Sequence, residues 1–99
     1  MANQEGRPRE IQIKAADEDL KGRYCNTMFV AHTKEEFIMD FLLISQPQGE
    51  LVSRVITSPG HMKRIYKALE ENIRLYEEKF GSIEESEGPN QNIGFKPQQ

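Results

Sequence analysis

With Cys25 as its only cysteine, this 99-residue chain lacks two of the devices that hold small domains together. No disulfide can close within it, and a cysteine-built zinc scaffold is excluded, because structural zinc takes four closely placed ligands. Tryptophan is absent, and only His32 and His61 could serve a Ser–His–Asp arrangement. Long apolar runs are missing too. The longest, such as Phe41-Leu42-Leu43-Ile44, fall far short of the ~20 residues that cross a bilayer. The start, Met1-Ala2-Asn3-Gln4-Glu5-Gly6, is polar and has no secretory apolar segment. A reducing, cytoplasmic setting with no membrane partner is the expectation. A positive surplus is also lacking. Thirteen Lys and Arg against sixteen Asp and Glu leave a net charge of −3, which opposes a general nucleic-acid binder held by phosphate neutralisation. Glycines never cluster into a phosphate-cradling loop: Gly49, Gly60 and Gly81 stand alone and read as turn or cap residues.

What is present divides into a core and two polar ends. Residues 1–9 read as a disordered tail and residues 84–99 as a flexible one, in which only Ile93 and Phe95 could dock on a partner. Residues 10–83 form a single domain. Ile11, Ile13 and Ala15 alternate with Gln12 and Lys14, the pattern of a strand wet on one face. Tyr24 to His32 is rich in strand formers, Phe37 to Ser45 follows a turn at Thr33–Glu36, and Leu51 to Thr57 completes the series after Gln46-Pro47-Gln48-Gly49. An alternative for the middle stretch stays open. Thr33-x-x-Glu36 has the form of a capping box, and a short helix from Lys34 to Ile44 would then place Phe37, Ile38, Phe41 and Leu42 on one face. A strand is preferred, because the run is apolar on both faces and meets a hairpin signal at once.

The last element is a helix over Pro59–Phe80, with Ser58 as N-cap, Pro59 at the first turn and Gly81 past the end. Met62, Tyr66, Leu69, Ile73, Tyr76 and Phe80 recur at steps of four and three. The fold class is therefore α+β: a four-stranded antiparallel meander followed by one long helix packed on one face. Such a helix spans about 33 Å and overhangs strands of about 25 Å. The third strand is apolar on both faces, while the chain offers one helix to cover them. A homodimer or larger even-numbered assembly is expected, with Ile38, Leu42, Ile44, Val52, Ile56, Tyr76 and Phe80 as the candidate interaction face; the alternative is that the N-terminal strand or the tail folds over the second face. The helix carries His61, Lys63, Arg64 and Lys67 in its first half and Glu70, Glu71, Glu77 and Glu78 in its second. That order opposes the macrodipole. It fits either two helices packed antiparallel or solvated charges in i,i+4 pairs.

Candidate chemistry is sparse. Asp40 and Arg54 interrupt the same apolar face and are expected to form a cross-strand ion pair, with an anion site built on Arg54 as the alternative. Cys25 and His32 are seven positions apart, so a regular strand sets them on opposite faces about 23 Å apart, and Cys25 reads as a small core residue. His32 and His61 fall in different elements with no carboxylate at ligand spacing. Neither a catalytic constellation nor a cofactor or metal site is expected, and basic clusters without interleaved aromatics make nucleic acid an unfavoured partner.

Several stretches resemble a family of small bacterial and archaeal proteins known only as a domain of unknown function. They are Tyr24-x-Asn26, His32-x-x-x-Glu36-Phe37-x-x-Asp40-Phe41, Ser53-Arg54-Val55-Ile56-x-Ser58-Pro59-x-His61-x-Lys63-Arg64, Leu69-x-x-Asn72-Ile73 and Tyr76-Glu77-x-x-Phe80-Gly81. Asn92-Ile93-Gly94-Phe95 resembles forms from gut Bacteroidetes. The chain departs from that pattern at Cys25, at Gly60 and in a short hairpin loop. The resemblance implies a cytoplasmic protein and no activity, substrate or cofactor. The order of strands and helix also resembles the export chaperone SecB, an analogy of fold that carries no function. Together these readings point to a non-enzymatic interaction or scaffold module acting as a homodimer. The alternative is a chaperone-like or regulatory module that binds extended peptide or nucleic acid.

Overall fold

The computed structural model describes residues 9–88 and Gly94. Its elements run α1 (Asp17–Lys21), β1 (Thr27–His32), β2 (Phe37–Ser45), β3 (Gln48–Thr57) and α2 (Pro59–Phe80). The strands form one antiparallel sheet in the order β1-β2-β3, so β2 is central and, among the described residues, no strand pairs with the outer edge of β1 or β3. This is an α+β chain with a three-stranded sheet and a C-terminal helix. The expected tail segments at residues 1–8, and Ile93 and Phe95 at the other end, lie outside the described residues.

Phe37 to Ser45 is a strand, and the Thr33 signal has another purpose. The Thr33 hydroxyl accepts the N–H groups of Glu35 at 3.1 Å and Glu36 at 3.2 Å, while the Thr33 N–H donates to the Glu36 carbonyl. A hydroxyl that accepts nearby backbone donors closes a turn as readily as it caps a helix. Here it closes the β1–β2 hairpin. The second hairpin turns on Gln46-Pro47, whose peptide bond is cis, and Ser45 pairs with Gln48. Gly49, read above as a turn residue, lies inside β3 opposite Ile44. A Cβ there would come within 2.7 Å of the Ile44 side chain, so glycine leaves room for the isoleucine.

The expected fourth strand is not formed. Residues 10–15 have no regular structure, and Ile11 and Ile13 stay 79% and 85% exposed. Alternation selects a face only when a neighbouring strand supplies the ladder, and this segment pairs with none. Asp17-Glu18-Asp19 instead opens α1, with acidic groups in the first turn where the helix dipole favours them. Gly22, at φ +74°, ends it.

The roof expected over the sheet is not made within one chain either. Extensive contact between elements is confined to β1 with β2 and β2 with β3, and no residue of α2 is buried. The connection explains this. Ser58 alone separates β3 from α2, whereas strand-to-helix loops that fold a helix back onto its sheet usually take 2–6 residues. The caps are formed: the Ser58 hydroxyl accepts the His61 N–H at 3.1 Å, and Gly81, at φ +96°, donates its N–H to Glu77.

Asn26 extends the β1–β2 ladder beyond its last backbone pair. Its N–H donates to the Leu42 carbonyl, its side-chain amide donates to the Ile44 carbonyl at 3.0 Å, and its side-chain oxygen accepts the Ile44 N–H at 2.9 Å. Asn26→Ala removes two of these bonds and is expected to lower the unfolding free energy by about 1–2 kcal/mol in a urea titration.

Candidate functional site

Residues directly opposite across an antiparallel ladder point to the same side, so the register assigns both faces of the sheet. Rows Val30-Met39-Val55 and Met28-Phe41-Ser53 make one face. Rows Ala31-Ile38-Ile56, Phe29-Asp40-Arg54 and Thr27-Leu42-Leu51 make the other. Between Phe41 and Leu42 the β3 register slips, leaving Val52 as the extra residue of a β-bulge. Its carbonyl accepts a 2.7 Å hydrogen bond from the Arg23 guanidinium, which ties the stretch before β1 to β3.

Asp40 stands directly opposite Arg54. The guanidinium donates through Nε to Oδ1 at 2.6 Å and through Nη2 to Oδ2 at 2.9 Å, the forked geometry of a strong charge-assisted pair. Asp40 is 8% exposed, while the Arg54 side chain is about half open to solvent. The hydrogen bond from Arg54, outweighing burial, holds the Asp40 carboxyl below its ordinary value, and Asp40 in turn raises Arg54. With both its oxygens and its sign spent on Arg54, Asp40 is a structural anchor of the central row rather than a free acid or base.

Around this pair the sheet is apolar and open. Met39 and Leu42 are the buried hydrophobic residues, both on the central strand. Ile56 and Val55 are exposed on opposite faces, as are Phe29 and Val30. Of the candidate interaction residues, Ile38, Leu42, Ile44 and Ile56 share the face of the ion pair. Leu42 is already covered within the chain, Ile38, Ile44 and Val52 are half-buried, and Ile56 is open. Tyr76 and Phe80 stand apart on α2, with ring centroids 5.0 Å from each other and both rings exposed. The structure thus does not join the sheet and helix halves of the proposed face within one chain. Phe29 and Val30 read from the sequence only as strand formers; with Met28 they make three consecutive large apolar residues, which in a strand must supply both faces.

Other candidates remain scattered. Cys25 is a half-buried thiol before β1, and His32 ends that strand with its ring 5.4 Å from that of Phe37. His61 sits in the first turn of α2, exposed. Among the described residues no group of three His, Cys, Asp or Glu could hold a metal ion, and no helix is long and apolar enough to cross a membrane.

The described residues thus form a three-stranded antiparallel sheet, apolar on both faces around the Asp40–Arg54 pair, followed by a long helix with an exposed apolar stripe. The chain belongs to a family described as protein of unknown function, DUF3467, whose model matches residues 1–85. No curated protein and no solved structure matches it.

Because Asp40 titrates lower in the folded chain than in the unfolded one, its contribution is full above the ordinary carboxylate value. It is lost as pH falls through the lowered one. Asp40→Asn is therefore expected to reduce stability near pH 7 and to lose less than the natural chain between about pH 5 and pH 2. Urea midpoints across that range test this; parallel curves for the two chains would contradict it.

Proposed function

We propose that this protein is a non-enzymatic interaction module that works as a homodimer. The observation in support is the balance of its hydrophobic residues. Met39 and Leu42 are buried, whereas Ile56 and Val55 on the sheet and Tyr66, Leu69, Ile73, Tyr76 and Phe80 on α2 are exposed. Soluble monomers seldom leave apolar surface open on this scale, and each fully buried side chain of this size stabilises by only about 1.5–3 kcal/mol. Two such residues make a thin core for a chain that orders three strands and a helix of 22 residues. A second copy is the simplest cover, because every patch it brings is matched in number by an identical patch. The thiol of Cys25 accords with a reducing cytoplasmic setting.

A second reading draws on the open edges of β1 and β3. An extended peptide could add a strand at either edge, as a chaperone-like or regulatory module would use it. The two differ in what purified protein does alone.

Sedimentation of the full chain at micromolar concentration is expected to give twice the 11.4 kDa of one copy, with Ile73→Glu shifting it towards monomer. A well-folded monomer would remove the homodimer. If that monomer captured an unfolded polypeptide, the peptide-binding reading would take its place.

A further inference from the structure

We propose that α2 pairs antiparallel with α2 of a second copy, so that the helices rather than the sheets form the spine of the dimer. This rests on the homodimer reading and names the surface that makes it. Met62, Tyr66, Leu69, Ile73, Tyr76, Phe80 and then Ile83 follow one another at alternating steps of four and three. That is a strict heptad seam, the narrow pattern with which a helix meets another helix, and narrower than the stripe that roofs a sheet. Among the described residues little covers it: Leu69, Ile73, Tyr76 and Phe80 are each half or more exposed, and Met62 is half-buried. Its aromatics can each bury on the order of 150–250 Å², so the seam brings several hundred Å² towards the ~800 Å² per partner of a specific interface.

Charge decides the direction. On the back of the helix, opposite the seam, the Arg74 guanidinium donates to the carboxylates of Glu71 and Glu78, and that set is complete within one chain. Beside the seam stand Lys63, Glu70 and Glu77 at one heptad position, and among the described residues no ion pair engages Lys63 or Glu70. Parallel pairing would lay the basic first half on its own copy and the acidic second half on its own copy. Antiparallel pairing seats Met62 against Phe80 of the second copy, Tyr66 against Tyr76 and Leu69 against Ile73. It places Lys63 beside Glu77 of the second copy at both ends. Glu77 accepts the Ile83 N–H through one oxygen and keeps the other for that lysine. The cost is Glu70 beside Glu70 at the twofold axis, one like-charged contact against two opposite ones.

Cross-linking reads this directly. In full-length Cys25→Ser chains, Met62→Cys and Phe80→Cys preparations are made separately, with tags of different size, and then mixed and oxidised. Antiparallel pairing yields a disulfide between the two variants and little within either alone. Self-cross-linking of each variant would mean parallel helices and overturn the proposal. A dimer by sedimentation with no cross-link in either case would also overturn it while leaving the homodimer standing, and monomers would remove both. As a check that does not depend on thiols, Lys63→Glu should weaken dimerisation by roughly tenfold, and adding Glu77→Lys should restore it to within a few-fold. Equal weakening in the single and double variants would count against the pairing.

Discussion

The shortest connection in the chain governs the rest. Ser58 alone joins β3 to α2, a connection shorter than those that usually fold a helix back, and the long helix makes no extensive contact with the sheet. A helix whose stripe is apolar from Met62 to Phe80 is thereby separated from the sheet it would otherwise cover. Both surfaces stay open, and the hydrophobic term that ordinarily dominates folding is left largely uncollected inside one copy. The proposed homodimer is the assembly that would collect it.

Within the sheet, specificity comes from a different source. The rows on both faces are greasy enough to slide, and a slip of one residue would exchange the two faces without making either polar. Asp40 and Arg54 remove that freedom. Buried on the sheet, the Asp40 carboxylate demands its guanidinium in one register, because leaving that charge unpaired there is costly. Asn26 adds a second lock at the other end by taking both backbone groups of Ile44. Such polar devices fix the register as well as adding stability.

Much of this fold is legible in the sequence where local chemistry acts alone. Ser58, Pro59 and Gly81 bound α2 at the residues observed, because caps depend on neighbours a few positions away. The pairing of Asp40 with Arg54 is only half legible: a regular hairpin turned at Gln46-Pro47 would set Ser53 opposite Asp40, and the bulge at Val52 brings Arg54 there instead. Where a reading needs a distant partner, the sequence misleads. Ile11 and Ile13 alternate like a strand, but no edge within the chain receives them. The stripe on α2 reads as a roof until the single residue Ser58 is weighed as a linker, a signal present in the sequence and easily passed over. Thr33 shows a third kind of failure, since one hydroxyl and the same spacing serve a helix cap or a hairpin turn equally well.

If association supplies the stability that one copy lacks, folding and binding are the same equilibrium, and the melting temperature must depend on concentration. Thermal unfolding of the full chain over a roughly hundredfold range of protein concentration tests this most directly. The account requires a midpoint that climbs steadily as the protein is concentrated. A sharp transition at one fixed temperature throughout, from a species with the mass of a single chain, would contradict it.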